Sequence, residues 1–106
     1  KINLKGSIDN FEIDDEYLVS EVEVYKSLVG KTILQSDFRE TFKLNIITIV
    51  RKKYHTNLVG RNIEKKEVLG LPKPDMVFQT GDILAVFGKD GDIKKYLKAS
   101  SDDSFD

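Results

Sequence analysis

From Leu18 to Val24, apolar and polar residues alternate, with Leu18, Val22 and Val24 on one face and Glu21 and Glu23 on the other. That is the period-two signature of a half-buried strand. Residues 45–50 (NIITIV) abandon the alternation: they are β-branched and almost wholly apolar, which predicts a central strand covered on both sides. Residues 82–87 (DILAVF) read the same way and follow a Gly81-Asp82 turn. Residues 51–71 are charged and punctuated by Gly60 and Gly70. They predict a β-ribbon with arms at 56–59 and 64–69.

Two helices fill the gaps. Thr32 is an N-cap with Gln35 at the N3 position of a capping box. The helix it opens carries Leu34, Phe38 and Phe42 along one stripe at i, i+4, i+8, with Arg39 projecting away from it. A second helix starts near Asp90 and places Ile93, Tyr96 and Leu97 on one face. Pro72-Lys73-Pro74-Asp75 is a stiff turn delivering Val77 and Phe78 to the sheet. The order strand, helix, strand, ribbon, strand, helix describes a small α/β (α+β) domain with a mixed, mostly antiparallel sheet. Residues 1–16 hold Gly6, Ser7, Asp9, Asn10 and an acidic run, the composition of a link from a preceding domain or membrane part, with Ile8, Phe11 and Ile13 available to dock on a neighbour. The folded domain is expected over 17–98, and residues 99–106, small and acidic, as a flexible tail.

Composition narrows the function. A chain of 106 residues is one domain by length, and so small a domain buries only about 60% of its unfolded surface. Association is a common remedy, and size alone is compatible with a dimer. Cysteine is absent, which excludes disulfides and thiolate metal sites. Apolar runs fall far short of the roughly 20 residues that span a bilayer. Acidic and basic residues are mixed, with a formal net charge of −1, so no nucleic-acid partner is expected.

Few residues carry candidate chemistry. Gly30-Lys31-Thr32 looks like the end of a phosphate loop, but Tyr25 stands where that motif needs glycine; a turn followed by a helix cap explains it. His55 is the sole histidine, too few nitrogen ligands for zinc, and Asp90-Gly91-Asp92 lacks the downstream glutamate of a calcium loop. No metal site is expected, and no catalytic residue, since the serines lack a base and an orienting acid. Arg39 and Asn45 are more informative. With Ile33 and Ile46 they can line an apolar cleft holding one cation and one amide, suited to a nucleotide base and its phosphate. The plainer alternative is a surface arginine and a satisfied turn amide.

The segments YLVSEVEV (17–24), LVGKT (28–32), Phe38-Arg39, LNII (44–47), Pro74-Asp75, GDIL (81–84) and Phe87-Gly88 run in an order that resembles the RCK C-terminal, or TrkA-C, domain of bacterial potassium transport regulators of the Ktr/Trk type. The resemblance covers residues 17–97. It implies a non-enzymatic, cytoplasmic regulatory domain that follows an RCK-N domain. It further implies a homodimer acting on a potassium channel or transporter subunit at the inner face of the membrane. In some regulators of this family the ligand is cyclic di-AMP, bound at the dimer interface, and the positions matching that site's pattern are Ile33, Arg39, Asn45 and Ile46. No covalently bound cofactor is implied. The same domain is also joined to anion transporters and cation/proton antiporters, and a ligand-free dimerisation module is the other alternative. Residues 51–71 are longer than the usual connection.

Overall fold

The computed structural model describes residues 7–103. Five strands form one sheet: β1 (Asp9–Glu12), β2 (Tyr17–Glu23), β3 (Asn45–Thr56), β4 (Asn62–Val68) and β5 (Ile83–Lys89). Their spatial order is β1-β2-β5-β3-β4 and every pairing is antiparallel. A 3₁₀ turn at Lys26–Leu28 and the helices α1 (Ile33–Ser36), α2 (Phe38–Phe42) and α3 (Asp90–Asp103) complete the chain.

Strand pleating explains the core. Cross-strand partners share a face, so Leu18, Ser20 and Val22 of β2 lie beside Gly88, Val86 and Leu84 of β5, all buried. Ile46 and Ile49 of β3 continue these rows. Against this face pack Leu28, Phe38, Phe78, Ile93 and Tyr96, with Phe42 and Leu97 half-buried at the margin. Tyr96 meets the rings of Tyr25, Phe38 and Phe42 at 5.0–5.6 Å between centroids. Its hydroxyl donates to the Glu23 carbonyl at 2.6 Å.

β3 carries a bulge between Ile46 and Thr48. The extra residue, Ile47, is 43% exposed, and beyond it each residue points to the opposite face from the one simple alternation would assign. The expected cover on both faces of 45–50 is not met among the described residues: only Ile49 is fully buried. The predicted ribbon exists, but its first arm is β3 itself running on to Thr56, with a turn at 57–61 before β4.

Other expectations shift. The single helix over Leu34, Phe38 and Phe42 is two short helices, because Asp37 adopts a left-handed conformation (φ 51°, ψ 40°). Leu34 is consequently 74% exposed instead of packed. Phe87 lies outside the core on the far sheet face, stacked on Tyr17 at 5.4 Å. Part of the expected link is structured: β1 pairs with β2 as an edge strand, fastened by Ser20 Oγ donating to Asn10 Oδ1 at 2.7 Å. Ile8, Phe11 and Ile13 are more than half exposed. At the other end α3 runs past residue 98 to Asp103, whose carboxylate accepts from the Ser27 amide and hydroxyl at 3.1 and 2.6 Å. The remainder of both expected flanks, residues 1–6 and 104–106, lies outside the described residues.

Asp82 is fully buried and immediately precedes β5. Arg51 Nε and Nη2 donate to its two carboxylate oxygens at 2.9 Å each, and Nη2 also donates to the Val77 carbonyl at 3.0 Å. The Gln79 amide donates to Asp82 Oδ2 at 2.9 Å. These bonds to Asp82 hold the Arg51 guanidinium above its usual range. Replacing Arg51 leaves a buried carboxylate without its cation, so Arg51→Ala should cost about 3–5 kcal/mol in a urea titration; a loss under about 1 kcal/mol would show that the pair is peripheral.

Burial, followed by its negative neighbours, pushes the Tyr96 phenol far above its usual value, and burial raises Tyr25 as well. The folded state then keeps its proton where the unfolded chain, titrating near about pH 10, has lost it. The stabilisation is complete below that pH and declines above it. Stability should fall by up to about 1.4 kcal/mol per pH unit per such tyrosine, and Tyr96→Phe should flatten that decline. An unchanged slope would contradict this origin.

Candidate functional site

The site begins with the capping box. Thr32 Oγ1 accepts from the Gln35 amide at 3.0 Å, and Gln35 Oε1 accepts from the Thr32 amide at 2.9 Å. Two further first-turn amides, which a helix leaves without internal partners, donate to a neighbouring segment: Ile33 to the Met76 carbonyl at 2.9 Å and Leu34 to that of Pro74 at 3.0 Å. Just before, Phe78 and Lys31 are joined at 2.9 Å, and Gly30 and Phe78 at 2.9 Å. Gly30 has φ +90°, so the turn needs its missing side chain. The 72–78 segment is thus laced to the start of α1.

α2 is a five-residue helix set between two left-handed residues, Asp37 and Lys43 (φ 59°). Leu44 then turns into the core, 1% exposed, and packs where β5 has no side chain. A β-carbon on Gly88 would sit 2.5 Å from Leu44 Cδ2 and 3.3 Å from the Lys43 carbonyl oxygen. This close approach sets where Asn45 enters the sheet.

Between α1, α2, the start of β3 and the 72–74 turn lies an open cleft of about 450 Å³. Ile33, Arg39, Asn45 and Ile46, the four residues singled out from the sequence, all line it, with Phe38 and Leu44 behind them. Pro72, Lys73 and Pro74 form the opposite lip; in the sequence they form a stiff turn, and only the backbone bonds from α1 bring them here. Arg39, Leu44 and Asn45 also border a second hollow of about 380 Å³, with Tyr17, Lys43 and Phe87. The ridge between the two hollows therefore carries one guanidinium and one carboxamide. Both are exposed, and among the described residues neither side chain has a partner. Arg39 and Lys73 give the cleft two cations against one carboxylate, Asp37. An apolar wall with two cations and a free amide suits a planar, hydrogen-bonding, anionic ligand.

His55 lies on β3 opposite Ile63, exposed and away from the cleft. Among the described residues no three His, Cys, Asp or Glu side chains are grouped to hold a metal. No helix among them is long and apolar enough to cross a membrane.

A profile of the TrkA-C domain matches residues 19–100. The chain belongs to the TrkA-C domain family. A relative is Ktr system potassium uptake protein C of Bacillus subtilis (strain 168), 30% identical over 91 residues. The match takes in 86% of this chain and 35% of that protein, so the chain spans about a third of its relative's length. The TrkA-C match includes every residue named on the cleft walls.

The contact between Leu44 and β5 is testable. Gly88→Ala must displace Leu44 or the Lys43 carbonyl and should cost about 1–3 kcal/mol through overpacking. A variant melting like the wild type would show that Leu44 moves freely.

Proposed function

We propose that this TrkA-C domain is the cytoplasmic, ligand-sensing part of a potassium uptake regulator. It works as a homodimer on a membrane transporter subunit and takes cyclic di-AMP in the cleft of Ile33, Arg39, Asn45 and Ile46. Its role is regulatory, not enzymatic. The observation that carries the reading is the convergence of those four residues on one cleft in a chain related to a potassium uptake protein.

Physical chemistry supports the ligand and the dimer. Ile33 and Ile46 offer apolar surface to a purine, Asn45 an amide that donates and accepts, and Arg39 a fork of N–H donors for a phosphate. A cyclic dinucleotide has two equivalent halves, and a two-fold dimer presents two equivalent clefts. One open cleft of about 450 Å³ engages one half, so ligand and dimer complete each other. The far face of the sheet supports association: Phe11 is 67% and Ile47 43% exposed, and Val19 and Phe87 beside them are only partly covered.

Titration calorimetry with cyclic di-AMP tests the proposal. Saturable heat with one ligand per two chains is expected, and Arg39→Ala or Asn45→Ala should each weaken binding by about 1–3 kcal/mol. Absence of heat at high micromolar ligand removes the cyclic dinucleotide. Unchanged affinity in both variants moves the site elsewhere.

A further inference from the structure

The β3–β4 ribbon runs beyond the sheet that supports it. β3 pairs with β5 only through Val50, whereas β4 pairs with β3 from Val50 to Thr56. Past Val50, then, two strands continue without a third for about 20 Å at 3.3 Å per residue. An isolated two-stranded ribbon is marginal in water, and from Lys53 to Asn62 this one buries no residue completely.

Its composition departs from the rest of the chain. Between positions 52 and 66 stand five cations, Lys52, Lys53, Arg61, Lys65 and Lys66, against one carboxylate, Glu64, in a protein of net charge −1. The register sets Lys52 opposite Lys66 on one face and Lys53 opposite Lys65 on the other. Like charges directly opposed destabilise a ribbon, so folding alone gives no reason for them. Among the described residues, Lys53 alone of the five makes an ion pair, to Glu67 at 3.0 Å.

The apex is apolar. Leu58 is fully exposed and Val59 is 78% exposed, two aliphatic side chains at the outermost point of a cationic arm. Six backbone groups of the turn beneath them are paired within it. Asn57 Oδ1 accepts from the amides of Val59 and Arg61 at 3.1 and 2.9 Å, the Asn57 carbonyl accepts from Gly60 at 3.1 Å, and the Asn57 amide donates to the Arg61 carbonyl at 2.8 Å. Backbone groups so paired can leave water without the heavy desolvation cost that excludes ordinary loops from lipid. Behind the apex stands Tyr54, 66% exposed, a side chain suited to the headgroup boundary.

We infer that this ribbon docks the domain on an anionic phospholipid surface, with Leu58 and Val59 entering the acyl boundary and Arg61 and the lysines meeting the phosphates. A ribbon inclined to the surface brings the apex and one lysine pair to the headgroups together. Charge complementarity selects anionic lipid, and the aliphatic apex selects a bilayer over a phosphate backbone, which has no use for two exposed aliphatic side chains. The inference is independent of the cleft and its ligand.

The chain has no tryptophan, so Leu58→Trp gives a single reporter. With vesicles containing phosphatidylglycerol at 0.1 M salt, its emission should shift to the blue and the protein should co-sediment. With pure phosphatidylcholine vesicles neither should occur. In the unlabelled chain, Leu58→Ser with Val59→Ser should weaken binding at least about tenfold, and Lys65→Gln with Lys66→Gln about fivefold per lysine, with melting curves unchanged. Three results would each overturn the assignment: no binding to the anionic vesicles, binding that survives both pairs of changes, or retention of a DNA duplex with no retention of vesicles.

Discussion

A carboxylate with no access to water is the constraint around which the middle of this fold is arranged. Asp82 stands just before β5 with 0% exposure, and a charge so placed is tolerable only when paired and hydrogen-bonded. Arg51 supplies two bonds from β3, and the Gln79 amide a third. The same guanidinium holds the Val77 carbonyl, while the Asp82 carbonyl accepts from Val24 at the end of β2. One buried group thus joins three strands and the segment leading into β5. That segment is the one laced to α1, so the cleft's outer lip is held through the same junction.

The cleft rests on short, over-determined pieces. α1 and α2 are each about one turn long and neither would persist in isolation. Their positions come from outside: from the carbonyls of 74–76 at one end and from Leu44 seated over Gly88 at the other. Arg39 and Asn45 stand on backbone fixed at both margins while their side chains remain in solvent. Such a surface loses little backbone order on binding, which favours affinity for a small ligand.

Much of this was legible in the residues, for identifiable reasons. The alternation of β2, the capping box at Thr32 and Gln35, and the buried stripe Ile93/Tyr96 of α3 are local signals, each contained within a few positions. Ile33, Arg39, Asn45 and Ile46 lie within fourteen positions of one another, so their meeting on one wall was open to inference. What escaped is non-local or conformational. Arg51 and Asp82 are 31 positions apart, and nothing near either marks a buried pair. β1 reads DNFE, a polar string with no period, and becomes a strand by pairing with β2, where Ser20 bonds Asn10 across the ladder. The helix break at Asp37 depends on a left-handed residue that helical spacing does not reveal. The lip at 72–74 is placed by bonds from a helix forty residues earlier.

The bulge at Ile47 acts as a phase setter. Pleating makes the facing of every later residue in β3 depend on whether one residue is counted or skipped there. With the extra residue, Ile49 turns inward and Arg51 falls on the same side as Asp82; without it, that guanidinium would point away and leave the carboxylate unpaired. The count also decides which face of the sheet each lysine pair of the projecting arm continues. A single-residue deletion at this point would therefore rewrite the chemistry of a segment ten residues long without altering one side chain in it. Length, at this position, is as strongly constrained as identity.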